Sequence, residues 1–235
     1  MAATLILLEG KSGTGKTTSW ENMDERKSYV ISPNSKPLAF EGGRTRYSKE
    51  NKNISYNVDL TSIATLLKNL DKAEHIKYIF LEDFTHHFNK RVMDRTFIAK
   101  KVGGEAFAKW NELASDIMNN IISTAENMRD DIFIVVAAHT QITENGQETL
   151  RTPGKLLENS IDIPSYFTYI FHTSVVMKDN NNREYRFLTN NDGVHEAKTS
   201  KGCFKELYIP NDMKLVIDTI DKYQSTNKLE TATVN

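Results

Sequence analysis

The sequence predicts an α/β fold in which a mostly parallel sheet is flanked by helices and an antiparallel hairpin lies near the C-terminus. Two observations predict it. Continuous apolar runs such as Leu5–Leu8 and the one that follows Asp131 within 131–138 are typical of strands buried on both faces, and such runs alternate with helical segments up to residue 138. Two further strands, at about 167–177 and 184–189, flank a turn-forming Asp-Asn stretch at 179–182, which indicates a hairpin.

Length and composition fit one sizeable core without a strong global charge. The chain has 235 residues, and its 30 Lys and Arg against 31 Asp and Glu leave a net charge of −1, so any nucleic-acid-binding surface must be local. We expect one domain over residues 1–223 and a flexible polar tail over 224–235. Cys203 is the single cysteine, so no intrachain disulfide is possible and a reducing compartment is favoured. No run of 18 apolar residues occurs, so neither a membrane span nor a signal peptide is expected.

Segments in the amino-terminal half alternate between helical and extended patterns. Residues 16–24 are expected to form a short helix, which is followed by a strand at Ser28–Ile31 and by an irregular polar stretch over 32–57. Apolar residues at helical spacing predict a helix over 60–71, and the apolar run at 76–81 predicts the third strand.

A long helix and a last helix are predicted further along the chain. An apolar stripe over 105–128 is typical of a helix that packs on a core. The stripe consists of Phe107, Trp110, Ala114, Ile117, Ile121, Ala125 and Met128. Residues 141–165 contain several glycines and prolines and are predicted to form loops. Asn211 is expected to cap a last helix that begins near residue 213.

The first predicted strand leads directly into a P-loop pattern, G-x-x-x-x-G-K-[ST]. Its glycines let consecutive backbone N–H groups surround a phosphate. Lys16 supplies a positive charge for the β- and γ-phosphates, Thr17 offers a hydroxyl to Mg²⁺, and the helix predicted next would point its positive end at the same anion. We therefore expect ATP and Mg²⁺ to bind here. The predicted nucleotide-binding residues are Gly10, Lys11, Ser12, Gly13, Thr14, Gly15, Lys16, Thr17 and Thr18.

Two acids, Glu82 and Asp83, end the third predicted strand. Carboxylates at this position can complete a P-loop site, where one acid holds the Mg²⁺ shell together with Thr17 and the other polarises the attacking water as general base. The order of the two acids leaves open which of them takes which role. His86 and His87 have no companion ligand pattern, so no metal other than Mg²⁺ is predicted.

Polar residues beyond the next buried strand are further candidates. The carboxyl ends of parallel strands line up on the ligand side of a sheet, so His139 is the first candidate for sensing the γ-phosphate and Gln141 is the second. His139 can equally be a histidine that only caps the strand. Lys155, in a Thr-Pro-Gly-Lys loop, either reaches the γ-phosphate of a neighbouring subunit, as an arginine finger does, or is an ordinary surface lysine.

A basic segment over 86–101 is the best candidate for contacts with DNA phosphates, because only Asp94 opposes its positive charge. Its cations are Lys90, Arg91, Arg95, Lys100 and Lys101. Residues 44–52 carry further cations, but there a solvated loop or hairpin is favoured over a DNA contact.

Five short segments, taken together, carry a resemblance to a known family. They are Gly10–Thr18, Lys36–Leu38, Leu81–Phe84, His139–Thr140 and Pro153–Leu157. In order and spacing they resemble small bacteriophage ATPases that are built on a RecA-type core and are associated with single-strand annealing and recombination. The resemblance covers nearly the whole chain. It implies a RecA-like P-loop NTPase core and a homo-oligomer, a ring or a filament, that assembles on single-stranded DNA in the host cytoplasm beside a single-strand DNA-binding protein.

The sequence thus favours a Mg²⁺-dependent, DNA-stimulated ATPase that acts on single-stranded DNA in phage recombination or replication. Its candidate catalytic residues are Lys16, Glu82, Asp83, His139 and Lys155. One alternative is a nucleotide or small-molecule kinase, for which Arg91 and Arg95 can be interpreted as lid residues. Another is a loader or regulatory module that uses ATP as a switch with little turnover.

Overall fold

One sheet of eight strands forms the centre of the structure. It lies within residues 2–99, 104–178 and 182–232, the part of the chain that the computed structural model describes. The strands are β1 (Thr4–Glu9), β2 (Ser28–Ile31), β3 (Ile54–Ser55), β4 (Tyr78–Leu81), β5 (Phe133–Ala138), β8 (Tyr169–Met177), β9 (Arg183–Leu188) and β10 (Tyr208–Pro210). Two more strands, β6 (Thr140–Ile142) and β7 (Glu148–Leu150), form a separate hairpin.

The strands of the large sheet follow the order β10-β9-β8-β1-β5-β4-β2-β3. All pairings from β8 across to β3 are parallel, whereas β9 pairs antiparallel with both β8 and β10. This confirms the predicted mostly parallel sheet with an antiparallel hairpin near the C-terminus. Three residues of the predicted hairpin turn, 179–181, lie outside the described residues.

Apolar side chains cover both faces of the central strands. In β1, Leu5 and Leu7 pack on one face of the sheet, and Ile6 and Leu8 pack on the other. Burial of each such side chain contributes about 1.5–3 kcal/mol relative to exposure. A strand with no polar face is stable only between two layers, so the continuous apolar runs of the sequence place these strands inside the sheet.

Helices form the two outer layers. The face with Leu5 and Leu7 packs against four helices, which are α2 (Ile63–Asp71), α3 (Phe84–Val92), α4 (Arg95–Ala99) and α5 (Gly104–Ile117). The opposite face packs against α8 (Met213–Ala232) and against Trp20. Among the helices of the described ranges, none is both long and apolar enough to cross a bilayer.

The register places three strand ends at one edge of the sheet. Glu9 of β1 is aligned with Ala138 of β5, and Leu81 of β4 is aligned with Val136 of β5. Because these strands are parallel, the residues that follow each of them emerge at the same edge. β5 lies between β1 and β4, so the residue after β5 lies between the loop after β1 and the acids after β4.

The long helix predicted over 105–128 consists of three consecutive segments. α5 leads into a π-helical turn at Met118–Ile122 and then into α6 (Ser123–Glu126). The placement of Phe107 in the apolar stripe was wrong, since this residue is 65% exposed. The predicted stripe repeats every seven residues, whereas seven residues of an α-helix fall short of two full turns by about 20°. Over successive heptads the stripe therefore rotates around the helix, and its N-terminal end, at Phe107, faces away from the core.

The last helix begins where predicted but has a different cap. Oδ1 of Asp212 accepts hydrogen bonds from the N–H of Lys214 (2.9 Å) and of Leu215 (3.4 Å), so Asp212 rather than Asn211 caps α8. A carboxylate is also favoured by the positive end of the helix. The helix continues to Ala232, past the point at which the flexible tail was predicted to begin.

Two regions that were predicted as irregular contain short elements. The 32–57 stretch includes α1 (Gly43–Arg46) and β3. The 141–165 stretch includes most of the β6–β7 hairpin and α7 (Lys155–Glu158). Elements of two to four residues are too short to show a period, so the sequence pattern could not reveal them.

Candidate functional site

The loop after β1 packs closely against β8. Gly10 has a φ of +149°, and a Cβ at this position would lie 2.0 Å from Oγ1 of Thr173. The same Thr173 hydroxyl shares a 2.5 Å hydrogen bond with Thr14 and donates to the carbonyl of Glu9 at 3.1 Å. β8 therefore contacts the loop at its start and in its middle, and a side chain at position 10 would collide with the side chain of Thr173.

Lys16 is folded over the loop that precedes it. Its Nζ donates to the carbonyls of Gly10 (2.7 Å) and Lys11 (2.8 Å), and it lies 3.5 Å from Nδ1 of His139. Burial lowers the pKa of the Lys16 ammonium to about 8, although the negative charge of Asp83 acts in the opposite direction. The loop thus holds a partly desolvated positive charge at the position where a bound phosphate would lie.

The segment after the loop is less helical than predicted. Only Thr18–Trp20 form a 3₁₀ helix, so the prediction of a helix over 16–24 was wrong. Trp20 turns into the core and stacks on Phe80 with 4.7 Å between ring centroids, which diverts the chain from a helical path. An anion in this loop would therefore depend on the loop N–H groups and on Lys16, because a long helix dipole is not present.

Thr17 and Glu82 meet across the cleft. Oγ1 of Thr17 donates to Oε1 of Glu82 at 3.1 Å. Burial raises the pKa of the Glu82 carboxyl, and the hydrogen bond from Thr17 offsets part of that rise. Mg²⁺ prefers oxygen ligands and keeps several of its waters, so a hydroxyl and a carboxylate at this separation fit a hydrated Mg²⁺ ion.

Asp83 differs from Glu82 in conformation and in partners. It has left-handed backbone angles, φ +50° and ψ +55°, and it directly precedes α3. Aspartate tolerates this region better than most residues. Its carboxylate lies 3.7 Å from Nε2 of His139 and 4.0 Å from Nδ1 of His86. The two adjacent acids therefore face different groups.

His139 lies between the lysine and the second acid. Its backbone N–H donates to Oγ1 of Thr85 at 2.9 Å, which ties the end of β5 to α3. Its ring contacts Lys16 through one nitrogen and Asp83 through the other. Burial, followed by the positive charge of Lys16, lowers the pKa of the His139 imidazole. The ring therefore connects the two sides of the site.

These side chains line one cleft of about 270 Å³. The cleft also receives Lys36 and Ala39 from the stretch after β2. Lys36 was not predicted as a site residue, although the segment that contains it contributes to the resemblance. A larger cleft of about 680 Å³ lies beside β3 and α2, but it includes none of the predicted nucleotide-binding residues.

Gln141 and Lys155 do not line this cleft. The side-chain amide of Gln141 donates to Oε1 of Glu158 at 2.9 Å. Nζ of Lys155 lies 3.1 Å from Oε1 of Glu144, and both side chains are largely exposed. Within one chain, the structure therefore brings His139 to the site and leaves Gln141 and Lys155 on a neighbouring surface.

Two cations of the basic segment form ion pairs with acids of the same chain. Lys90 pairs with Asp59 at 3.2 Å and donates to the carbonyl of Pro33, and Arg91 pairs with Asp116 at 2.9 Å. Arg95 is exposed on α4. The last two predicted cations, Lys100 and Lys101, lie outside the described residues.

A second cluster of titratable side chains lies beside the loop after β1. Glu148, His172 and His195 offer ligand atoms that all lie within 4.8 Å of one another. Nζ of Lys11, in the loop, lies 3.1 Å from Oε2 of Glu148. Burial, followed by repulsion from His195, lowers the pKa of His172 to about 4. The three residues are far apart in the sequence, so no local pattern could have revealed this group.

Comparison of the sequence with protein-family models and with curated proteins finds no match. Any functional assignment must therefore rely on the geometry of the site and on the residues that line it. That geometry consists of a glycine loop around a half-buried lysine, a hydroxyl–carboxylate pair, and a second carboxylate beside a histidine.

Proposed function

We propose that the protein is a RecA-type P-loop ATPase that binds ATP and Mg²⁺ in the cleft at the ends of β1, β4 and β5. The observation that carries this proposal is the 3.1 Å hydrogen bond between Thr17 and Glu82, beside the half-buried ammonium of Lys16. In this arrangement the lysine can bind the phosphates of a nucleoside triphosphate, and the hydroxyl and the carboxylate can hold its metal ion.

Binding is assigned to the loop, to Lys16 and to the Thr17–Glu82 pair. The backbone N–H groups of residues 10–18 surround the phosphates, and Lys16 exchanges its loop carbonyls for the β- and γ-phosphate oxygens. Thr17 and Glu82 hold Mg²⁺, in part through water. When bound there, Mg²⁺ would supply positive charge to offset the negative charge that develops on the phosphate oxygens.

Hydrolysis is assigned to Asp83 and His139. Glu82 is engaged with Thr17, so Asp83 is the acid that remains to orient water and accept its proton. The water oxygen attacks the γ-phosphorus, the bond to the ADP oxygen breaks, and inorganic phosphate leaves. His139 contacts both Asp83 and Lys16, so it can report the occupancy of the γ-phosphate position to the β6–β7 hairpin that follows it.

The single-stranded DNA part of the proposal is supported by the resemblance of the five segments and by exposed Arg95. Arg95 would contact phosphates without base readout. Exposed Lys155 fits a contact with the γ-phosphate of a neighbouring subunit in a ring or filament. In this proposal the oligomer works in the cytoplasm of a bacterial host, beside a single-strand DNA-binding protein.

The test is ATP hydrolysis with and without single-stranded DNA, at low and at moderate salt. The proposal predicts stimulation by DNA that fades as salt rises, because phosphate contacts release counterions. Transfer of phosphate to an added nucleoside or nucleotide, without DNA stimulation, would support the kinase instead. ATP binding without turnover would support the switch module. The structure offers one observation against a kinase lid, which is that Arg91 is held by Asp116.

A further inference from the structure

The cluster of Glu148, His172 and His195 gathers two imidazoles and one carboxylate at a single point. Nε2 of His172 lies 3.3 Å from Oε1 of Glu148, and Nε2 of His195 lies 3.8 Å from Oε2 of the same residue. The two imidazole rings lie 4.4 Å apart between centroids, tilted by 34°. A single ion placed between these atoms can reach all three side chains.

The backbone holds the three residues in this arrangement. The N–H of Glu148 donates to the carbonyl of Val194 at 2.7 Å, and the N–H of Glu196 donates to the carbonyl of Glu148 at 3.2 Å. These bonds join the first residue of β7 to the segment that carries His195. Because the backbone fixes the cluster, little conformational entropy is lost when a ligand binds.

His195 is oriented by a second carboxylate. Its Nδ1 lies 2.8 Å from Oδ2 of Asp192, while Oδ1 of Asp192 accepts the N–H of His195 (2.8 Å) and of Val194 (3.0 Å). A histidine whose Nδ1–H donates to a carboxylate presents Nε2 with its lone pair available. Metal-binding histidines commonly have this outer partner, which fixes the tautomer and the ring orientation.

Burial supports a role beyond surface ion pairing. The side chains of Glu148 and His172 are 5% and 4% exposed, whereas His195 is 31% exposed and leaves an entry path on its side. Glu9 is aligned with His172 across β1 and β8, so the two side chains share one face of the sheet. The Glu9 carboxyl is buried, and neither of its oxygens has a hydrogen-bond partner among the described residues. A buried carboxyl without a hydrogen-bond partner keeps its proton unless a cation lies beside it, so this unsatisfied group favours a cation at the cluster.

We propose that Glu148, His172 and His195 form a zinc-binding site, separate from the nucleotide cleft and independent of the function proposed for it. Two imidazole nitrogens and one carboxylate oxygen are a recurrent zinc ligand set, and a fourth position remains for water. Mg²⁺ and Ca²⁺ prefer sites made wholly of oxygen ligands, so the donor set argues against them. By joining β7, β8 and the segment with His195, the ion would lock the β6–β7 hairpin to the large sheet.

Lys11 links this site to the phosphate loop. Its ammonium pairs with Oε2 of Glu148, an oxygen that zinc would coordinate. The Lys11 side chain is 60% exposed, so it can move outward. Bound zinc would therefore displace Lys11 from Glu148. The expected result is a change in the nucleotide affinity of the loop, but zinc binding itself does not require nucleotide.

The experiment measures zinc binding to the full chain after its metal has been removed with a chelator and its purification tag has been cleaved. We expect one Zn²⁺ per chain by calorimetry and by elemental analysis, with a higher unfolding temperature in zinc and no displacement by excess Mg²⁺. His195→Ala should weaken zinc binding by about 100-fold or more, and Asp192→Asn by about 10–100-fold, because it removes only the outer partner. Exposed His75 lies outside the cluster, so His75→Ala is the matched control.

Asp192→Asn keeps the proposal testable if His195→Ala fails to fold, and circular dichroism of each variant checks folding. A zinc stoichiometry of one that is lost in His195→Ala and retained in His75→Ala supports the site. Wild-type protein that binds no zinc, or equal zinc affinity in wild type and both cluster variants, overturns it. In that case Glu148 and the histidines form only a hydrogen-bonded network.

Discussion

The cleft proposed for nucleotide and the cluster proposed for zinc lie side by side, with Lys11 between them, but their residues are arranged differently along the sequence. The cleft takes its loop from consecutive residues, 10–18, and its two acids from adjacent positions. The cluster takes one residue from each of three segments that only the sheet topology brings together. A contiguous motif is visible in a sequence, whereas a dispersed site becomes visible only when the fold is known.

The two regions also differ in how they treat buried charge. In the cleft, Lys16 is paired with loop carbonyls that a phosphate can replace, and Glu82 is paired with a hydroxyl that a metal ion can share. In the neighbouring region, Glu9 is buried without a hydrogen-bond partner among the described residues, while Glu148 receives several.

The largest effect is expected from Lys16→Ala. Loss of the charge that faces the γ-phosphate should lower kcat/KM for ATP by about 10³–10⁵-fold, as loss of comparable charge-stabilising groups does in phosphoryl transfer. Exposed Lys72 lies outside the cleft and outside residues 10–18, so Lys72→Ala is the control for removal of a lysine charge. Equal losses in both variants, measured by phosphate release, would contradict the distinct role of Lys16.

Asp83→Asn should separate binding from hydrolysis. The amide cannot accept a proton, so kcat should fall by about 10²–10⁴-fold while ATP affinity stays close to that of wild type. Glu82→Gln should instead weaken the dependence of ATP binding on Mg²⁺. Calorimetry and single-turnover rates distinguish the two variants, and a reversed pattern would exchange the roles of the two acids.

Phe97 and Phe107 give a stability comparison between a buried and an exposed aromatic residue. Phe97 is buried and packs edge-on against Trp110 at 5.5 Å, so Phe97→Ala should lower the free energy of unfolding by about 3–5 kcal/mol. Phe107→Ala should change it by about 0.5 kcal/mol or less. Denaturant unfolding measures both, and a large loss in Phe107→Ala would restore the apolar stripe as first predicted.

The smallest effect is expected for Glu9→Gln, on the pH dependence of stability. Burial, followed by the charges of Glu196 and Glu148, raises the pKa of Glu9 well above its ordinary value. The folded state then holds a proton that the unfolded state has lost, so this carboxyl lowers stability as pH rises above the ordinary value. In chelator-treated protein, Glu9→Gln should therefore be more stable than wild type at pH 8 and should converge with it below about pH 4. Thermal unfolding across pH gives the sign directly, and a variant that is destabilised at pH 8 would contradict it.

Much of the fold could be predicted because buried parallel strands are apolar throughout. The apolar runs that form β1, β2, β4 and β5 were all predicted as strands from the sequence pattern. The errors arose where local signals compete with packing. Trp20 stacks on Phe80 and diverts the segment after the loop, and Asp212 caps α8 although Asn211 is the neighbouring candidate.

The candidate site could be predicted only in part, for a related reason. The positions of Lys16, Thr17 and Glu82 follow from motif and strand order, and parallel strands bring His139 to the same edge. The contribution of Lys36 depends on the path of an irregular stretch. The cluster around Glu148 depends on the β6–β7 hairpin, whose strands have three residues each and no detectable period.

The most direct test of the central claim is the effect of Mg²⁺ on ATP binding in a double-mutant cycle of Thr17→Val and Glu82→Gln. If the hydroxyl and the carboxylate hold one ion, Mg²⁺ strengthens ATP binding in wild type. Each single variant should then lose most of that gain, and the double variant should lose little more. Additive losses, or a wild-type affinity that does not respond to Mg²⁺, would contradict a shared metal site and with it the assignment of this cleft to ATP.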